Sequence, residues 1–226
     1  MKYPKLEILT DYHRQRELYL ALVAGLQNII PLLVAKEGVK FQGVYGRVKS
    51  PESLREKLNR KDKYSMLTDV TDLAALRVIT YFDDDIDKVM KVIESEFDID
   101  EENTVDKRQP DRVDSFGYKS MQYVARYSFD RLRLPEYAPF AGLKFEIQIR
   151  TILQHAWSEV DHLYRYKRKA GISAHIDRKF SGLSAQLEAI DSAFIELRNL
   201  LDDHAQRLLE QIEEGSPQLF KNASAI

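Results

Sequence analysis

Glu146, Gln148 and Arg150 alternate with Phe145, Ile147 and Ile149, which places the three polar side chains together on one face of a strand. Such a face is ordinarily just solvated. Other residues give this one a possible chemistry. Asp72 stands just before the run Leu76-Arg77-Val78-Ile79, where a carboxylate at a strand mouth can meet Glu146 across a sheet. Arg47, Lys49 and Lys57 spread positive charge over a strand end and the start of a helix. Two carboxylates beside a basic strand-to-helix segment are what metal-assisted phosphoryl transfer requires. Mg²⁺ takes one or two carboxylates plus substrate phosphates, and Lys or Arg offsets charge on the transferring group.

The elements that must hold these residues can be read from periodicity. Leu18, Leu22, Leu26, Ile29 and Leu33 predict a helix over 11–36, capped by Thr10 or Asp11, with Pro31 kinking its last turns. Residues 41–49 read as a strand, with Gly43 and Gly46 permitting a bulge or a close approach. Ser50-Pro51-Glu52 is a helix start, Ser as cap and Pro at the first helical position. It offers backbone N–H groups and the positive dipole end to a phosphate. A β-rich run over 75–82, a helix over 86–96 and a strand pair over 98–106 and 119–127 follow, with 107–117 as a polar loop. Then come a strand over 143–150 and helices over 151–169 and 173–214. Ile176, Phe180, Leu183, Leu187, Ile190, Phe194, Leu197 and Leu201 recur in steps of four and three, a heptad seam expected to pack on the chain's own domain, against the 11–36 helix. His204 also falls on that seam and marks a weaker layer. Strands alternating with helices predict an α+β fold, a mixed sheet flanked by helices.

The chain has 226 residues, 34 basic and 36 acidic side chains and no cysteine, which removes disulfides, thiolate metal sites and a cysteine nucleophile. No stretch approaches roughly 18 consecutive apolar residues, and Met1 to Leu9 lacks a signal-peptide core. A cytoplasmic protein with no membrane partner is the expectation. The net charge of −2 hides a basic segment over 47–63 and an acidic one over 83–102, the latter read as solvated surface. His155 and His162, seven apart on a predicted helix, can share a face, but Trp157, Val160 and Leu163 around them favour a structural or substrate-side role over a metal.

Four short motifs in order make the chain similar to a known family. Gly46-Arg47-Val48-Lys49-Ser50 with Ser53 and Lys57 resembles the first motif of the RelA/SpoT-type alarmone synthetases. Asp72-Leu73-Ala74-Ala75-Leu76-Arg77-Val78-Ile79 resembles their metal-binding motif, and Gly117-Tyr118-Lys119-Ser120 their acceptor loop. Glu146-Ile147-Gln148-Ile149-Arg150-Thr151, with Ala156-Trp157 and Tyr166-Lys167, resembles their closing motif. The resemblance implies a nucleotidyltransferase-like sheet and transfer of pyrophosphate from ATP to the 3′-hydroxyl of GDP or GTP, releasing AMP. It implies Arg47, Lys49, Ser53, Lys57 and Arg77 at ATP, and Asp72 and Glu146 as catalytic residues holding Mg²⁺. It also implies Tyr118, Lys119, Gln122, Gln148 and Arg150 at the acceptor, with Tyr118 stacking on its base. On this reading 1–40 is an N-terminal helical segment, 41–170 the synthetase domain and 171–226 a C-terminal helical extension, without a built-in hydrolase.

Gln122 stands where many members have His, and Phe116 where classical members often have a polar residue; both bear on the acceptor. Ala75 replaces a common Gly, a change expected only to tighten packing. Some small relatives are toxins that modify the 3′ end of tRNA or make adenine alarmones. A tRNA reader would use basic residues outside the donor site, with Arg126, Arg131, Arg133, Arg165, Lys167, Arg168 and Lys169 as candidates. A non-catalytic nucleotide-binding module is the further alternative. Small members also have terminal helices through which some oligomerise, so a homo-oligomer is expected.

Overall fold

The computed structural model describes residues 4–61, 63–106, 120–169 and 173–213, with the side chains of 165–169 and 213 outside that description. Helix α1 (Pro4–Lys36) begins earlier than the periodicity predicts and runs on through Pro31. Ile8, Tyr12, Tyr19, Leu22, Val23, Leu26, Ile30 and Val34 form its buried stripe. By length and composition α1 is the one helix among the described residues apolar enough to cross a membrane. In the fold that stripe is spent on the core it shares with the strands.

The remaining elements follow the predicted order, with the short helix α4 an addition that the periodicity did not predict. They are β1 (Phe41–Val48), α2 (Pro51–Arg60), β2 (Ala74–Thr80), α3 (Asp84–Glu96), β3 (Phe97–Ile99), β4 (Val105–Asp106), β5 (Met121–Tyr127), α4 (Phe129–Leu132), β6 (Phe145–Thr151), α5 (Ile152–Lys169) and α6 (Ala174–Glu213). The strand expected over 98–106 is two short ones. Asp100 takes two hydrogen bonds from Asn103 Nδ2, at 3.1 and 3.0 Å, and Thr104 Oγ1 donates to the Asp100 carbonyl, so a 3₁₀ turn at Glu101–Asn103 breaks the strand.

One six-stranded sheet runs β1-β2-β6-β5-β3, with β4 also on β5. Only β2 and β6 pair in parallel among these strands, so the sheet is mixed, as the alternation of strands and helices predicts. Ile147, Ile149, Val78 and Phe145 are buried among the core, and α1 and α3 cover that side. Gly46 shows how closely α1 sits, because a Cβ there would lie 2.4 Å from Val23 Cγ1. At Gly43 the β1–β2 register shifts. Both glycines therefore do what the sequence asked of them.

Helix α6 departs from expectation. Ile176, Leu183, Ile190, Phe194, Leu197 and Leu201 are each at least 40% exposed, so most of the heptad seam faces away from the domain. The buried positions are Ser184 and Asp191, seven apart. Polar contacts hold the helix: Thr151 Oγ1 donates to Asp191 Oδ2 at 2.9 Å, and Arg198 grips Asp84 through two bonds of 3.0 and 2.5 Å while stacking on Phe82. A bidentate guanidinium–carboxylate pair fixes orientation as well as distance. The acidic segment is correspondingly less solvated than expected: Asp84 meets Arg198, Asp100 meets Lys144 at 2.6 Å, and Glu96 meets Arg131 at 2.5 Å.

Candidate active site

Pairing across the sheet sets the polar face in rows. Arg47 on β1 lies opposite Ala75 on β2, which lies opposite Glu146 on β6. The next row runs Tyr45, Arg77, Gln148 and Gln122 on β5. Paired residues share a face, so a basic, a carboxylate and two amide side chains converge without help from loops. Ala75 is the small residue between Arg47 and Glu146, and it lines a cleft rather than merely tightening the packing.

The end of β1 is held from three sides. Lys49 N–H donates to the Leu73 carbonyl at 2.8 Å, and Tyr12 on α1 donates to the Lys49 carbonyl. Ser50 then caps α2, its Oγ accepting from Ser53 N–H at 3.1 Å, with Pro51 first in the helix. Lys57, in the last turn of α2, and Lys49 consequently meet at Asp72, 2.7 Å and 3.0 Å from its two oxygens. Burial pushes the Asp72 carboxyl up, but the Lys57 and Lys49 ammoniums outweigh it and hold the group below the usual carboxylate range.

A cavity of about 740 Å³ joins these parts, lined by Arg47, Lys49, Ser53, Lys57, Asp72, Gln122, Glu146 and Gln148 among others. Eight of the sequence-predicted residues are thus brought together. Arg77 is in a smaller adjoining cleft of about 100 Å³, shared with Tyr45, Arg47, Ala75 and Gln148. Arg150 lines neither cavity. It is 4% exposed, and its guanidinium donates to Gln148 Oε1 and, at 2.9 Å, to Ser158 Oγ, so it braces Gln148 from behind instead of facing the cavity. Gln148 in turn donates to Glu146 Oε1 at 2.6 Å. Tyr118 and Lys119 lie outside the described residues.

Sequence reasoning missed part of the wall. Tyr64 lines the cavity, with the Lys57 and Lys63 ammoniums 5.6 and 5.4 Å from its ring centroid. Glu102 and Asn103 come from the β3–β4 turn and Val105 from the start of β4. The Tyr after the basic run was the available signal for the first. Nothing local marks the others, which reach the cavity because β4 pairs Val105 with Gln122.

The carboxylate oxygens fit a hard divalent cation. Asp72 brings both its oxygens to the cavity, Oδ1 against Lys57 at 2.7 Å and Oδ2 against Lys49 at 3.0 Å, and Glu146 lines the same cavity. No cluster of three or more His, Cys, Asp or Glu among the described residues could hold a metal, so the ion would take its other ligands from phosphates and water, the usual habit of Mg²⁺.

The region found in RelA / SpoT proteins matches residues 46–171. The chain is 28% identical over 178 residues to the GTP pyrophosphokinase YjbM of Bacillus subtilis, covering 77% of this chain and 80% of that protein. It is also 28% identical over 160 residues to the GTP pyrophosphokinase YwaC of the same organism, covering 63% and 73%. Among solved structures, small alarmone synthetase 1 from Bacillus subtilis bound to its product pppGpp shares the fold with a TM-score of 0.69 at 23% identity, over 85% of this chain and 99% of that one. The matched region takes in the Arg47–Lys57 segment, the Asp72 turn and the Glu146 strand, more than half of the chain, and the protein belongs to the RelA/SpoT family.

Proposed function

We propose that the protein is an ATP-dependent pyrophosphokinase that transfers the β,γ-pyrophosphate of ATP to the 3′-hydroxyl of GDP or GTP and releases AMP. The observation that carries this reading is the single cavity in which Arg47, Lys49 and Lys57 lie with Asp72 and Glu146. Two curated relatives named GTP pyrophosphokinase support the guanine acceptor. In the reaction the hydroxyl oxygen forms a bond to Pβ, the Pα–O–Pβ bridge breaks, and AMP leaves with the electron pair. Charge is needed along the whole triphosphate, and three cations spread over β1 and α2 provide it. Lys49 and Lys57 neutralise Asp72 in the free protein and are placed to exchange part of that contact for phosphate oxygens. Glu146, oriented by Gln148, accepts the hydroxyl proton. Asp72 and Glu146 would hold Mg²⁺, which supplies charge neutralisation on the phosphates. Arg47 and Arg77 flank the small cleft beside the phosphate-binding segment, a suitable seat for the donor's adenine under guanidinium stacking.

Arg131, one of the seven candidates for tRNA contact, is committed to Glu96 and to the Phe97 and Tyr137 rings, and the two relatives named GTP pyrophosphokinase favour the nucleotide acceptor. The exposed apolar face of α6 supports assembly with a second copy, and nucleotide substrates are in keeping with a cytoplasmic enzyme. The test is to incubate the protein with ATP and Mg²⁺ and offer GDP, GTP, ATP and deacylated tRNA in parallel. AMP release with a pyrophosphorylated guanine nucleotide is expected, and Glu146→Gln should lose at least about 100-fold in kcat while retaining ATP binding. Label entering only tRNA, only ATP, or no acceptor at all overturns the guanine assignment.

A further inference from the structure

Helix α5 follows β6 directly, and on its first turns His155, Ser158 and Glu159 stand at positions i, i+3 and i+4, one face of the helix. That face meets two arginines from adjacent strands. Arg77 on β2 lies with Nη1 3.2 Å from His155 Nδ1 and donates to Glu159 Oε1 at 2.9 Å. Arg150 on β6 donates to Ser158 Oγ at 2.9 Å. The second contact ties the turn to the sheet, so that the first can fix a direction for Arg77.

An arginine free to swing would lose side-chain entropy each time it engaged a ligand. Here the same Nη1 is held between an imidazole nitrogen and a carboxylate. Burial, then the charge of Arg77, holds the His155 imidazole below its usual range against the pull of Glu159. The ring is therefore neutral at neutral pH, and in the Nε2–H tautomer Nδ1 accepts from Arg77. The remaining guanidinium surface is left for the cleft it shares with Arg47 and Ala75.

We propose that His155 and Glu159 are positioning residues that hold Arg77 in the orientation in which it engages ATP. The proposal rests on the reading of this site as an ATP site. It gives the substrate-side alternative for His155 a definite form, and it gives α5 a function in donor binding.

The test uses the full-length chain and titration with α,β-methylene-ATP by calorimetry, a readout that needs no turnover and no acceptor, alongside steady-state kinetics and Tm. His155→Leu and Glu159→Ala should each weaken analogue binding and raise the KM for ATP by about tenfold, the scale of one charge-assisted hydrogen bond. The KM for the acceptor should change less than twofold, and kcat should fall less than the ATP KM rises. His155→Asn, whose side-chain oxygen can replace Nδ1 as acceptor, should restore affinity to within twofold of wild type. Glu159 is exposed enough that its loss should not prevent folding. Wild-type analogue affinity in both His155→Leu and Glu159→Ala would overturn the proposal. So would losses in ATP and acceptor KM of equal size that track Tm and are not rescued by Asn. If wild type binds the analogue but makes no product with any acceptor, the pyrophosphokinase reading fails while the titration still decides the role of His155. If wild type does not bind the analogue, both fail.

Discussion

Asp72 is under opposing pressures that together set its charge. Burial favours the neutral acid, and Lys57 and Lys49 favour the anion more strongly, so its folded pKa lies below the usual range. A carboxyl depressed in this way adds stability that is fully present above its unfolded value of about 3.9 and is lost as pH falls through the lower folded value. Asp72→Asn should accordingly flatten the acid limb of the stability–pH curve below about pH 5. It should also lower stability at pH 7, because two ammoniums are left without their anion. Urea unfolding at a series of pH values measures both effects, and an acid limb as steep as wild type would contradict the assignment. Asp72 was legible as a candidate site carboxylate from its place before β2, and the structure puts it in the cavity. Its two lysine partners were visible only as candidate phosphate ligands, since nothing in one dimension shows that a residue on β1 and one on α2 converge on it.

The elements that carry the site are placed by close contact more than by propensity. Gly46 lets β1 lie against α1, where a methyl group would meet Val23 and, at 2.8 Å, Gln27. Val23 is buried on a helix shared with the core and cannot step aside. Gly46→Ala should thus cost about 1–3 kcal/mol through overpacking. It should also weaken ATP binding by displacing the neighbouring Arg47. Thermal unfolding with an ATP titration tests both, and an unchanged Tm would mean that α1 yields more easily than its burial implies. The strand–helix units over 41–60 and 145–169 were readable because Ser-Pro caps and strict alternation are local signals. The division of 98–106 into β3 and β4 was not, because it turns on Asp100 bonding to Asn103 and Lys144.

At the scale of the molecule, α6 presents its apolar residues outward and its polar ones to the domain. Leu197, Leu200 and Leu201 are 51%, 66% and 59% exposed, while Arg198 between them grips Asp84. A helix face of this kind is what a coiled-coil or bundle contact between copies would use. Leu197→Glu combined with Leu201→Glu should reduce the mass observed by analytical ultracentrifugation without loss of the Arg198–Asp84 anchor. A double variant with the mass of wild type would remove these leucines from the interface. The net charge of −2 resolves at this scale too: the basic segment lines the cavity and much of the acidic one is paired.

By itself the sequence determined the order of the elements, the alternation of strand and helix, and the residues from which phosphate chemistry could be built. Those follow from dihedral preference, hydrophobic period and side-chain chemistry, all of which act within a few residues. Only the tertiary structure decided which of those residues meet. It placed Arg150 behind Gln148, brought the β3–β4 turn to the cavity wall, drew His155 to Arg77, and turned the heptad seam outward. Each of these depends on pairing between segments distant in the chain, where strand register and the partners available to a charged group fix the outcome.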